Sequence, residues 1–110
     1  MAIEIRRLIV NDDELKQICS DYVASGDTDV PRGTIMSLKI SRDDPLEVSV
    51  QIQTAEGQQN PFTLGENHLV SALINYCAMK MIPVSRNAKK TVKKTDKGMI
   101  AFDMVLQSTI

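Results

Sequence analysis

The run Ser85-Arg86-Asn87-Ala88-Lys89-Lys90-Thr91-Val92-Lys93-Lys94-Thr95-Asp96-Lys97-Gly98, continued by Met99-Ile100-Ala101-Phe102-Asp103-Met104-Val105-Leu106, decides the fold. It admits two readings. As a helix, its cations recur at spacings of three and four, with Ser85 as N-cap and Gly98 just past the C-terminus. The opposite face would carry only Ala88, Val92 and threonines, a poor apolar stripe. As a hairpin, a strand around 91–94 turns at 95–98 and returns through 99–106. The returning segment alternates, with Ile100, Phe102 and Met104 on one face and Ala101, Asp103 and Val105 on the other. Such a strand needs a partner, and the nearest candidate lies just before the turn. The hairpin is the preferred reading.

Upstream, Leu69, Val70, Leu73, Ile74, Cys77 and Met81 recur at helical spacing, which predicts a helix buried on one side. Thr63 and Glu66 have the spacing of a capping box at its start, and Pro83 is the expected stop. The segment after it, Ile82-Pro83-Val84-Ser85-Arg86-Asn87-Ala88-Lys89, resembles small bacterial α+β domains over less than half the chain, a pattern too short to imply a function.

The first half reads similarly. Ile3, Ile5 and Leu8-Ile9-Val10 predict an opening strand. Asn11 and Glu14 cap a helix whose stripe is Leu15, Ile18, Cys19, Tyr22 and Val23. Residues 25–33 are turn material with Gly26, Asp27, Asp29 and Pro31, too few ligands for a calcium loop. Ile35–Ile40 and Leu46–Ile52 form a second hairpin about 42–45, and 54–60 is a polar connector.

Laid over itself at an offset of 52, the chain matches in type. Asn11 falls on Thr63, Pro31 on Pro83, and Val48, Val50 and Ile52 on Ile100, Phe102 and Met104. Residues 11–53 and 63–105 are thus a candidate internal repeat, although the helix stripes do not superpose position by position. The expected architecture is one α+β domain over 1–110: a two-layer sandwich with two helices on one face of a mainly antiparallel four- or five-stranded sheet. With the opening strand it reads as a split-βαβ order plus one strand, a fold with no single function.

Function is constrained mainly by exclusion. The sequence holds one histidine, His68, and two cysteines, Cys19 and Cys77, with no CxxC pair. Buried free thiols are the expected state, with a disulfide between the two helices as the alternative. His68 and Cys77 lie about 13 Å apart along a helix axis, too far for a catalytic pair on that helix. No phosphate-binding loop or metalloprotease motif occurs, and Asp12, Asp13 and Glu14 suit a helix N-terminus without a metal. Neither enzyme activity nor a cofactor, metal or small-molecule ligand is expected. An enzyme site around His68 and Cys77 ranks last among the functional readings. The charged N-terminus is not a signal peptide, and no run approaches the roughly twenty apolar residues of a spanning helix, so the expected location is cytoplasmic with no membrane partner.

One feature rises above this background. Arg86, Lys89, Lys90, Lys93, Lys94 and Lys97 stand against Asp96 alone between 85 and 97, a local charge of +5. Residues 1–60 carry −5 and residues 61–110 carry +4, a split that is neutralised within the fold, between subunits or by an outside anion, with solvated faces of opposite sign as the preferred reading. The expected role is a non-enzymatic interaction module that binds a protein partner or self-associates, with those six cations as the anion- or partner-facing surface. The alternative is a sequence-tolerant nucleic-acid binder contacting phosphates through the same lysines. No aromatic residue interleaves with them and only one is arginine, which disfavours stacking on bases and direct base reading.

Overall fold

A computed structural model describes residues 2–25 and 29–108. Its order is β1 (Ala2–Val10), α1 (Asp12–Ala24), β2 (Thr34–Asp43), β3 (Leu46–Gln53), β4 (Gln59–Leu64), α2 (Glu66–Met79), β5 (Lys89–Lys94) and β6 (Ile100–Ser108). Gly26 and Asp27 of the expected turn lie outside the described residues.

The α+β class and the antiparallel pairing agree with the sequence reading, and 85–106 is the hairpin. The single four- or five-stranded sheet does not form. Among the described residues, six strands divide into two antiparallel sheets of three, ordered β1-β6-β5 and β2-β3-β4. The cause is β4, which falls partly in the segment taken for a connector. Phe62 and Leu64 lie opposite Val50 and Val48 of β3, so β4 completes the first hairpin's sheet. β1 crosses the whole chain to complete the other, with Leu8 opposite Phe102 and Val10 opposite Ile100.

The order is thus βαββ twice, and the opening strand of each half completes the sheet of the other. The helices correspond at an offset of 54, from Asn11 to Gly65. At that offset Leu15, Ile18, Cys19, Tyr22 and Val23 fall on Leu69, Ala72, Leu73, Tyr76 and Cys77, all buried except the partly buried Tyr76. The strands keep the offset of 52, so a difference of two residues between helix and hairpin hides the agreement of the stripes.

Local chemistry explains the helix ends. At α1, the Asn11 side chain accepts from the Glu14 amide at 2.8 Å while Glu14 accepts from the Asn11 amide at 3.0 Å, the reciprocal box expected from sequence. At α2 the expected cap is wrong. Thr63 is paired with Ser49 in β4, and the N-cap is Gly65. Glycine offers no side-chain oxygen, so only the return bond forms: the Gly65 amide donates to Nδ1 of His68 at 3.3 Å.

Nor does Pro83 itself end α2. The chain turns earlier, with Met81 left-handed at φ 58°, its amide donating to the Ala78 carbonyl and the Ile82 amide to the Cys77 carbonyl. That is a Schellman closure with methionine in the place glycine usually takes. It carries Met81 out of the stripe into solvent, contrary to the sequence expectation.

One core joins everything. The facing stripes of α1 and α2 pack with Val10, Val92, Ile100, Phe102 and Met104 from one sheet and Ile35, Val48, Val50, Ile52 and Leu64 from the other. β6 is central in its sheet and buried on both faces, since Ala101 and Asp103 on the outer side are covered as well. Phe102 is its largest fully buried side chain.

Candidate functional site

The six cations do not form one patch. Strand alternation sends Lys89 and Lys93 to the outer face of the β1-β6-β5 sheet, and Lys90 and Lys94 to the other side. Several are already engaged. Lys90 donates to the Ser85 and Ala88 carbonyls at 2.9 Å each, Lys93 lies 3.8 Å from Asp103, and Lys94 lies 3.6 Å from Asp43 across the two sheets. The side chains of Arg86, Lys89 and Lys97 have no ion pair or hydrogen bond among the described residues. Arg86 and Lys90 border a groove of ≈ 450 Å³ floored by Ile74, Ala78, Ile82 and Val84.

The other candidates resolve into structural roles. His68 receives the Gly65 amide on Nδ1, which places its proton on Nε2, 2.8 Å from a carboxylate oxygen of Asp29. Its ring also meets Phe62 edge-on at 5.8 Å. The histidine therefore caps a helix and ties it to the segment after α1. Cys19 and Cys77 are both buried free thiols. Burial pushes the Cys19 thiol up to about 12 and raises that of Cys77, so both stay protonated and unreactive at neutral pH. Among the described residues, no three His, Cys, Asp or Glu side chains cluster to hold a metal, and no helix is long and apolar enough to cross a membrane.

The outer face of the β1-β6-β5 sheet holds what the sequence reading missed. Asp103 is buried at its centre and accepts from Nε and Nη2 of Arg7 at 2.7 and 3.0 Å. The partners are 96 residues apart, so no local pattern announces them. The Arg7 hydrogen bonds hold the Asp103 carboxyl below the usual carboxylate range, against the opposing effect of burial, with Lys93 adding to the lowering. Because the folded value is depressed, the stabilisation is present above the ordinary carboxylate value and is lost as pH falls through the folded one. Arg7 is half exposed, so solvent weakens the pair. Asp103→Asn should cost about 1 kcal/mol at pH 7. The difference from wild type should vanish below the folded value, as read by denaturant midpoints at the two pH values.

Around this pair lies an apolar row. Ile3, Ile5 and Ile9 of β1 are 61%, 66% and 46% exposed on the same face, with half-buried Val105 beside Ile5. β1 is also an edge strand, and it differs from the other three edges. β2 is broken by two register shifts, between Ile35 and Ser37 and between Ile40 and Arg42. β4 is six residues long and contains Pro61, and β5 is four-sixths lysine. Bulges, proline, shortness and lysine are the usual guards against edge-to-edge pairing. β1 has none of them. It runs nine residues in unbroken register, from Ala2 opposite Ser108 to Val10 opposite Ile100. Its charges are largely satisfied at home, Arg7 by Asp103 and Arg6 by Glu4 at 3.0 Å.

Compared with known proteins, the chain matches no family model, no curated protein and no solved structure.

Proposed function

We propose that this protein is a non-enzymatic interaction module that self-associates through the free edge of β1. The observation that carries the reading is the contrast among edges: three are guarded, while β1 is long, regular and lined with exposed isoleucines. An edge strand offers a row of backbone donors and acceptors, and side chains of alternate residues supply specificity. Lys89 and Lys93 border the same outer face two strands away, about 10 Å from β1.

Sedimentation over a range of concentrations tests this. The wild-type protein should exceed the 12.2 kDa of one chain. Ile5→Lys should sediment as one chain, with its dissociation constant raised about thirtyfold or more. Because Ile5 is exposed, its thermal midpoint at low concentration should be unchanged. A wild-type protein of single-chain mass at every concentration would rule out self-association.

A second reading, nucleic-acid binding, rests on the three cations that have no partner among the described residues, Arg86, Lys89 and Lys97. Lys89 opens β5 and Lys97 lies in the turn beyond its far end, roughly 17 Å away along the strand direction, so they would touch separate phosphates and bind weakly. A salt-sensitive shift of short duplex or single strand, lost when these three are changed to Ser, would favour it.

A further inference from the structure

We infer that the occupant of the β1 edge is β1 of a second copy, antiparallel and centred on Ile5, so that Glu4 of each chain faces Arg6 of the other. This rests on the self-association reading and adds its geometry. Residues directly opposite in an antiparallel pair point to the same face and interact most strongly, and like charges there are destabilising. Joining the two isoleucine rows on one face requires a two-fold axis that passes between a residue and its own copy.

The sequence of β1 then selects the centre. Centring on Glu4 sets two carboxylates opposite each other, and centring on Arg6 or Arg7 sets two guanidinium groups opposite. Centring on Ile5 pairs Ile5 with Ile5 and Glu4 with Arg6 twice over. It also sets Ile3 against the aliphatic stem of Arg7, and Ala2 against Leu8. Glu4 and Arg6 are 60% and 54% exposed and hold only each other, through one solvent-exposed bond, which the two cross-strand pairs would replace. They stand at the mouth of an open groove of ≈ 250 Å³ against Pro83, Val84 and Ala88. Turning one copy over would bring Glu4 opposite Arg7 instead, but Arg7 is already held by Asp103 through two bonds, and the isoleucine rows would be split between faces. The paired strands produce a six-stranded sheet, β5-β6-β1-β1-β6-β5.

A complementation experiment tests the register. Glu4→Arg and Arg6→Glu, each prepared alone, place like charges opposite each other and should dissociate at least tenfold more readily than wild type. Mixed in equal amounts, the two variants should form a heterodimer with affinity within about threefold of the wild-type homodimer, read by native mass spectrometry. In that mixture both cross-strand pairs are restored while the bond between positions 4 and 6 within each chain is absent from both variants. Rescue therefore cannot come from the chain's own contact. If the single variants dimerise like wild type, or if the mixture fails to pair, this register is wrong. In either case the Ile5→Lys result still decides separately whether the edge associates at all.

Discussion

Phe102→Ala should lower the unfolding free energy by about 3–5 kcal/mol, enough to remove much of the stability of a domain this size. Phe102 is fully buried in the central strand of its sheet, between Leu8 of β1 and Val92 of β5. The truncation leaves a cavity where strands from the two ends of the chain meet, and rigid strands on both sides limit how far the site can collapse. Denaturant unfolding measures the loss. Ile5, three residues before Leu8 on the same β1, is the counterpoint: its substitution should leave monomer stability unchanged. A comparable loss at both positions would mean that Ile5 is a core residue.

Gly33→Ala should cost about 2–3 kcal/mol, through contact as well as backbone strain. Gly33 has φ 154°, and a Cβ there would stand 2.5 Å from the Gln53 carbonyl oxygen and 2.6 Å from Cγ2 of Ile52. Both obstacles belong to β3, and one is backbone, so the start of β2 would have to lift away from its partner. Gly57 provides the control. It also has positive φ, at 85°, but open space around it, so Gly57→Ala should cost only about 1 kcal/mol. Equal losses at the two glycines would show that the close approach to β3 is not what matters.

What could be read in the sequence was local. Asn11 and Glu14 sit at the start of a clear apolar stripe, and every signal there agrees, so α1 was predictable to its cap. The 85–106 hairpin was legible because Ile100, Phe102 and Met104 alternate and a helix would have had no face to bury. The start of α2 was misread because Thr63 and Glu66 happen to have capping-box spacing, whereas a distant partner, Ser49, draws Thr63 into β4. β4 itself has only Phe62 and Leu64 to mark it, and Pro61 argues against a strand except at an edge, which is where it lies.

The candidate site was less legible than the fold, for a physical reason. The lysines were conspicuous in the sequence, but strand alternation divides the four in β5 between two faces, and Asp43, Asp103 and two carbonyls engage three of the five. The isoleucines of β1 predict a strand but not its place in a sheet. Only the pairing of β1 with β6, at the far end of the chain, shows that this strand is an edge. Whether an edge is guarded depends on bulges and neighbours that no single segment reveals.

Hydrogen exchange of β1 amides as a function of protein concentration reads the edge pairing residue by residue. In residues 2–8, one set of alternate amides points to β6 and the other to the free edge. If β1 pairs with β1 of a second copy, the outward set should be protected at high concentration and exchange freely on dilution, while amides of β5 and β6 stay unchanged. Outward amides that exchange fast at every concentration, beside a protected β6, would contradict the claim that this edge is where the protein associates.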